Sequence, residues 1–273
     1  MTIVPPIVRL VHPGPAAAVI ALSAVLASVL SAQAGHGPLT SAWMLTVLGV
    51  AGSQILTGAL NDWADRTRDA VAQPDKPIPS GGVTARAALL LAGAGAALQL
   101  AATIPLGAVP VALGVVASGS AIAYDLWLSR TPMSVLPYLV SFGTLPLWIA
   151  AGVGAPFERV TLAPVIVAPF AAAAHLANAL RDFDMDRRLG SRNLAQVLGR
   201  LTAFRVAGGL ALGVAAVVGV AFAFGGRVAP LPLVLGAIGV GAVALGIRAP
   251  DRLWPGMLVA AVAWTAAWAL GSG

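Results

Sequence analysis

Acidic residues are rare in this 273-residue chain, and six of the ten fall in two short patches. The first patch runs from Asn61 to Asp69. On a helix its aspartates, Asp62, Asp65 and Asp69, stand at i, i+3 and i+7 and share one face. Like charges this close repel one another, whereas a cation bound between them removes the repulsion. Because oxygen ligands suit Mg²⁺, Asn61 and the three aspartates are candidate metal ligands.

The second patch is the segment 182–186, which contains Asp182, Asp184 and Asp186. Asp182 and Asp186 stand at i and i+4, so they share a helical face and are further candidate metal ligands, whereas Asp184 points elsewhere. The alternative interpretation is that both patches are ordinary loops whose acids pair with arginines at the surface.

Basic residues lie within or beside both patches and indicate what the metal would be for. They are Arg66, Arg68 and Lys76 at the first patch, and Arg181, Arg187, Arg188 and Arg192 at the second. Mg²⁺ commonly bridges a carboxylate and a substrate phosphate, and cationic side chains bind phosphate oxygens. Acids and bases together therefore predict a diphosphate site.

Two polar residues precede the second patch at helical spacing. Asn178 comes four residues before Asp182, and His175 comes three residues before Asn178, so the three share a face. We expect Asn178 to line the site. For His175, a catalytic role and simple hydrogen bonding between helices are both open.

Membrane-spanning helices must position these residues. Hydrophobic residues make up 59% of the chain and charged residues 10%, with a mean hydropathy of +0.90, which excludes a soluble enzyme of this length. Apolar segments of about 20 residues match the thickness of a hydrocarbon core. The sequence predicts nine spans, near residues 15–35, 41–61, 86–104, 108–128, 133–152, 161–180, 203–224, 229–248 and 254–271.

The distribution of charge predicts the orientation of these spans. All but two of the 16 Lys and Arg residues fall on one side, the exceptions being Arg159 and Arg227. By the positive-inside rule, we expect a cell-membrane protein whose amino terminus and two acidic patches face the cytoplasm. The net charge of +6 therefore reflects topology, and no nucleic-acid partner is expected. The lack of cysteine excludes disulfides, thiolate metal sites and cysteine nucleophiles.

A diphosphate site above apolar spans predicts an amphiphilic substrate, a prenyl diphosphate, within the lipid bilayer. The patches also resemble the two signatures of the UbiA superfamily of intramembrane prenyltransferases. The first signature, N-D-x-x-D-x-x-x-D, is present without departure, and the second, D-x-x-x-D, is matched as well. The matching residues are Asn61, Asp62, Asp65 and Asp69 for the first, and Asp182 and Asp186 for the second.

Other family features are matched in part. Tyr124 and Arg130 resemble a Tyr with a basic pair after the fourth helix, with Ser129 where a Lys is common. Lys76 stands where the family usually has Arg, which keeps the charge but not a bidentate phosphate contact. The string from residue 61 to residue 81 is similar to the branch that includes chlorophyll synthases.

The resemblance covers nearly the whole chain and implies an all-α integral membrane protein. It implies a single domain, residues 1–273, with nine transmembrane helices around a central cavity and acidic cytoplasmic loops near 61–85 and 181–202. Members move a prenyl group from its diphosphate to an acceptor with release of diphosphate.

The resemblance also implies the roles of the candidate residues. Two Mg²⁺ ions would draw charge off the diphosphate as an allylic carbocation forms and is captured by the acceptor. The catalytic metal ligands would be Asp62, Asp65, Asp69, Asp182 and Asp186 with Asn61, and the diphosphate would be bound by Asn61, Arg68, Lys76, Tyr124, Arg130, Asn178 and Arg192. Two alternatives stay open: a terpene cyclase of the same fold that needs no acceptor, and a non-catalytic protein that handles polyprenyl lipids. Aromatic and lipid acceptors are equally compatible with the motifs.

Overall fold

The computed structural model describes residues 4–37, 39–224 and 229–271, and every regular element within them is helical. The α-helices are α1 (Pro6–Arg9), α2 (Pro13–Gln33), α3 (Ser41–Ala72), α4 (Ala85–Thr103), α5 (Ala108–Ala123), α6 (Leu136–Gly152), α7 (Ala163–Arg181), α8 (Phe183–Arg188), α9 (Leu194–Leu198), α10 (Arg200–Phe224), α11 (Pro230–Gly246) and α12 (Pro250–Gly271). A π-helical segment, Tyr124–Leu128, continues α5. Short 3-10 turns lie at Ile104–Leu106 and Phe157–Val160.

Seven of the described helical segments are long and apolar enough to cross a membrane. Two further apolar helices, α6 and α11, coincide with predicted spans but have 17 residues each. The all-helical membrane fold is thus confirmed, whereas the predicted count of nine spans is not. Arg227, used in predicting the orientation, lies outside the described residues.

Helix α3 is longer than the span predicted from the sequence. Its N-cap Thr40 accepts a hydrogen bond from the backbone N–H of Trp43, and the helix then runs for 32 residues. The sequence from Ala59 to Gln73 contains neither Gly nor Pro, so nothing interrupts the helix before Pro74. The first acidic patch therefore lies on the last turns of α3, and the loop that was expected near residue 61 begins after Ala72.

The chain divides into two compact units. The first contains Met1–Ser129 and Leu147–Arg159, and the second contains Arg130–Pro146 and Val160–Gly273. Helix α6 contributes to both units, with Pro146 inside it. Each unit has its own buried apolar cluster, described next.

In the first unit, α3 packs closely against α4. Leu56, Leu60 and Ala59 of α3 are buried with Ala88 and Ala92 of α4. One turn earlier on α3, the backbones of α3 and α4 nearly touch, since a Cβ on Gly52 would lie 2.5 Å from the backbone N of Gln99. This close approach fixes the helix that carries the first acidic patch.

In the second unit, α7 packs on α10 and α12. Leu176 and Leu180 of α7 are buried with Leu253 and Met257 of α12, and small Ala residues of α10 complete the cluster. The face of α7 that carries His175 is thereby fixed, and the second acidic patch follows directly at its end.

Candidate functional site

Asp62 is the most deeply buried acid of the first patch, with 2% of its surface exposed. Its Oδ1 lies 3.0 Å from Lys76 Nζ and 3.1 Å from His12 Nε2. Neither contact has the alignment of a hydrogen bond, and Oδ2 has no hydrogen-bond partner among the described residues. A buried carboxylate oxygen without a donor is costly, so this atom is available to a ligand.

Lys76 reaches the patch from the segment that follows α3. Its ammonium donates a 2.8 Å hydrogen bond to Asp69 Oδ2, so that it bridges Asp69 and Asp62. Burial alone would lower the pKa of Lys76, but the hydrogen bond to Asp69 and the charges of Asp62 and Asp69 raise the pKa above its usual value. Lys76 is therefore a permanent cation against the predicted metal ligands.

The segment 73–84 holds Lys76 in place through its own turns. The backbone N of Ser80 bonds to the carbonyl of Lys76, and the backbone N of Val83 bonds to that of Pro77. Gly81 has φ +76°, which suits glycine, and Val83 packs on the apolar cluster of the first unit. The turn chemistry of this segment thus fixes where the ammonium lies.

Asn61 is hydrogen-bonded to an acid that was not among the predicted site residues. Its Nδ2 donates a 3.0 Å hydrogen bond to Oδ1 of Asp125, in the π-helical segment. Asp125 is buried, and its Oδ2 has no hydrogen-bond partner within the described residues. Three buried carboxylate oxygens of the site, Oδ1 and Oδ2 of Asp62 and Oδ2 of Asp125, therefore have no hydrogen-bond donor among the described residues.

The remaining predicted residues of the first unit lie nearby. Asp65 is within electrostatic range of both Asp69 and Asp125. Arg68 and Tyr124 are half-buried. Within the described residues no three carboxylate or imidazole side chains converge as a ready metal cage. The donor set of carboxylate oxygens and an amide nevertheless fits a hard cation such as Mg²⁺.

The second patch lies partly on α8. Asp182 is exposed at the N-terminal end of α8, and the backbone N of Asp186 bonds to its carbonyl. Oδ2 of Asp186 accepts a 2.7 Å hydrogen bond from Nδ2 of the buried Asn193. Asp184 forms an exposed ion pair with Arg200, which agrees with its expected position off the shared face.

Backbone and side-chain bonds join the segment after the second patch to the start of the second unit. The backbone N of Arg192 bonds to the carbonyl of Arg130 at 3.0 Å. Ser134 Oγ accepts from the backbone N of Leu194 at 3.2 Å and lies 3.0 Å from His175 Nε2. The structure thus brings together Arg130 and Arg192, two of the three arginines that were predicted to bind diphosphate.

Two of the polar residues on α7 differ in their surroundings. His175 is buried and stacks on Tyr138 with ring centroids 4.4 Å apart. Asn178 is exposed, and its Oδ1 accepts a 3.4 Å hydrogen bond from Arg181. Of the two interpretations of His175, hydrogen bonding within the fold is the one that the contacts favour.

Three residues in these contacts were missed from the sequence. Asp125 was detectable, because an acid inside an apolar span is a functional candidate. Asn193 was also detectable, since Asn193 and Gln196 form an N-cap pattern, and Asn193 Oδ1 accepts from the backbone N of Gln196. His12, with φ 50°, gave no signal that linked it to Asp62.

Known proteins resemble this chain in sequence and in structure. The sequence pattern of the UbiA prenyltransferase family matches residues 21–254. A digeranylgeranylglyceryl phosphate synthase of Natronomonas pharaonis is 29% identical over 236 residues, covering 85% of this chain and 79% of that protein. A bacteriochlorophyll synthase 33 kDa chain of Cereibacter sphaeroides is 36% identical over 182 residues, covering 60% of this chain and 58% of that protein.

A solved structure supports the fold independently. A UbiA homolog from Archaeoglobus fulgidus, bound to GPP and Mg²⁺, superposes with a TM-score of 0.70 at 18% identity, over 98% of this chain and 100% of that one. The all-helical UbiA-type fold implied by the sequence resemblance is therefore confirmed, but its count of nine helices is not. The named synthases also confirm the prediction of a prenyltransferase. The chain belongs to the UbiA prenyltransferase family.

Proposed function

We propose that this chain catalyses Mg²⁺-dependent transfer of a prenyl group from a prenyl diphosphate to a hydrophobic acceptor, with release of diphosphate. The observation that carries the proposal is the environment of Asp62. This carboxylate is 2% exposed and lies 3.0 Å from the ammonium of Lys76, and its Oδ2 has no hydrogen-bond donor in the part of the chain that the structure describes. A buried acid beside a permanent cation suits a site for a metal ion and a phosphate.

The acids of each patch would hold Mg²⁺. In the first unit these are Asp62, Asp65 and Asp69 with the amide oxygen of Asn61, and in the second unit they are Asp182 and Asp186. When bound, Mg²⁺ supplies Lewis-acid stabilisation of charge on the leaving diphosphate. The relative from A. fulgidus was crystallised with both Mg²⁺ and GPP, which supports the assignment of metal and donor.

Cationic and polar side chains would bind the diphosphate itself. Arg68 and Lys76 serve this role in the first unit, with the hydroxyl of Tyr124. Arg130, Arg192 and Asn178 serve it in the second unit, where the backbone bond between the two arginines holds their segments together. Lys76 would exchange its contact with Asp69 for a phosphate oxygen when metal ions neutralise the acids.

The proposal also names the chemical class of the acceptor. The synthase of N. pharaonis, named for digeranylgeranylglyceryl phosphate, matches 85% of this chain, whereas the bacteriochlorophyll synthase chain matches 60%. The wider match favours a prenylated glyceryl phosphate lipid as the acceptor. An assay should offer aromatic and tetrapyrrole acceptors beside it.

We place the amino terminus and both acidic patches on the cytoplasmic face of the cell membrane. The excess of Lys and Arg on that side supports the assignment. The chain lacks cysteine, so single cysteines can be introduced for labelling. Asp75→Cys should react with an impermeant reagent only from the cytoplasm, and Gly37→Cys only from the opposite side. The reverse pattern would contradict the orientation.

The test of function is diphosphate release by the detergent-solubilised protein, given geranyl, farnesyl or geranylgeranyl diphosphate with and without acceptors. We expect release to require Mg²⁺ and an acceptor, and Asp62→Ala to reduce it by on the order of 100-fold or more. Asp184→Asn, which alters an exposed acid paired with Arg200, should leave release unchanged.

Two other outcomes would reject the proposal in favour of its alternatives. Release without an acceptor, with formation of a terpene alcohol or hydrocarbon, would identify a cyclase. Binding of the donors without any release would identify a protein that handles polyprenyl lipids.

A further inference from the structure

Asp125 is a buried acid that two exposed apolar residues follow directly. It is 7% exposed, whereas the following residues, Leu126 and Trp127, are 37% and 66% exposed. In a helix that crosses a membrane, apolar side chains face lipid and polar ones face the protein interior. The carboxylate of Asp125 is therefore directed inward, where an acid is retained only if it makes a specific contact.

That contact is with Asn61, the first residue of the acidic patch on α3. Asn61 Nδ2 donates a 3.0 Å hydrogen bond to Asp125 Oδ1, across 64 residues of sequence. The segment that carries Asp125 is π-helical, since the backbone N of Ser129 bonds to the carbonyl of Tyr124, five residues earlier. Such a widened turn is uncommon and frequently marks a functional site.

The chemistry of the pair fixes the orientation of the Asn61 amide. A carboxylate only accepts hydrogen bonds, so the neighbouring amide must turn its NH₂ group toward it. The amide oxygen, Oδ1, then points away from Asp125 and is the atom that a metal ion can bind. Without an acceptor at position 125, the two orientations of the amide would compete.

We infer that Asp125 is a positioning residue that holds Asn61 with its amide oxygen available to the metal. The inference rests on the proposed function, because it assigns Asn61 as a metal ligand. Partners that orient metal ligands typically contribute about 10-fold to 100-fold in metal affinity. Asp125 therefore acts through Asn61, and its effect should vanish when Asn61 is removed.

The test is a double-mutant cycle on the affinity for Mn²⁺, measured by electron paramagnetic resonance on the full chain in detergent. We expect Asp125→Ala, which removes the acceptor, to weaken Mn²⁺ binding by about 10-fold to 100-fold. In the Asn61→Ala background, the same substitution should change the affinity by less than about twofold. Asp251→Ala, at an exposed acid in the first turn of α12, is the matched control and should bind like the unmodified protein.

Each result bears on a different claim. The metal site of the proposed function is wrong if the unmodified protein binds no Mn²⁺. It is also wrong if Asp62→Ala binds Mn²⁺ as tightly as the unmodified protein does. If the unmodified protein binds Mn²⁺ and Asp125→Ala binds it as tightly, Asp125 is not a positioning residue. Equal weakening with and without Asn61 would also overturn the inference, because Asp125 would then act by itself. Should Asp125→Ala not fold, Asp125→Leu, which also lacks an acceptor, takes its place in the cycle.

Discussion

Lys76 donates a 2.8 Å hydrogen bond to Asp69, and the same ammonium lies 3.0 Å from Asp62. One lysine thereby neutralises the first and last aspartates of the motif on α3. Its side chain is 17% exposed, so solvent screens these contacts only weakly. The same oxygens are the proposed ligands of Mg²⁺, and lysine and metal must compete for them.

Replacing Lys76 with Gln should therefore make the protein more responsive to Mg²⁺. Without metal, the variant removes the ammonium that lies against two buried carboxylates, and we expect a loss of roughly 3 kcal/mol in the free energy of unfolding. Added Mg²⁺ should stabilise the variant more than the unmodified protein, because no lysine must be displaced. Thermal unfolding in detergent across a Mg²⁺ titration measures both effects. Lys76→Arg, which keeps the charge, should respond like the unmodified protein, and equal responses in all three proteins would refute the competition.

Asn193 should separate metal binding from helix capping in the second unit. Its Nδ2 donates to Asp186 at 2.7 Å, while its Oδ1 caps α9 at 3.0 Å. Asn193→Ala loses both bonds, whereas Asn193→Ser retains a capping oxygen but no amide donor. Both variants should need about 10-fold more Mg²⁺ for half-maximal diphosphate release. Only Asn193→Ala should also lose about 1 kcal/mol of stability. Unchanged Mg²⁺ dependence in both would show that Asn193 only caps the helix.

His175 should affect donor binding without taking part in the chemistry. It contacts Ser134, which also accepts from the backbone N of Leu194, beside the bonded pair Arg130 and Arg192. His175→Ala should raise the KM for the prenyl diphosphate while kcat changes little, because the arginine segments lose a support. Ser134→Ala should act similarly, and the double variant should be no worse than either one.

The exposed His36 provides a matched control, since His36→Ala removes an imidazole far from these bonds along the chain. A large fall in kcat for His175→Ala with an unchanged KM would instead favour the catalytic role that the sequence left open.

Local features of the candidate site could be predicted from the sequence better than the contacts between its residues. Composition alone required membrane helices, and the spacing of Asp62, Asp65 and Asp69 required one helical face. Both are local properties, which a sequence records directly. The continuation of α3 to Ala72 could also have been predicted, because the sequence from Ala59 to Gln73 contains neither Gly nor Pro.

Contacts between segments that are far apart in the chain could not be predicted from such local patterns. The bond between Asn61 and Asp125 spans 64 residues and depends on a π-helical turn, for which the sequence has no distinct signature. Lys76 was predicted to bind phosphate, and nothing in its spacing indicated that its ammonium would bridge Asp62 and Asp69. The contact of His12 with Asp62 depends on how α2 begins, with φ 50° at His12.

The glycines of α4 offer a prediction about the support of the first patch. A Cβ on Gly95 would collide with the backbone N of Leu56 on α3, whereas a Cβ on Gly93 would meet nothing within 4 Å. Gly95→Ala should therefore cost about 1–3 kcal/mol through forced separation of the two helices. Gly93→Ala, two residues away on the same helix, should be neutral or stabilise the protein by up to about 1 kcal/mol. Because α3 carries Asp62, Gly95→Ala should also raise the Mg²⁺ concentration needed for half-maximal diphosphate release. This concentration would be measured beside thermal unfolding. Equal stability of the two variants would show that the close approach of α3 and α4 does not support the patch.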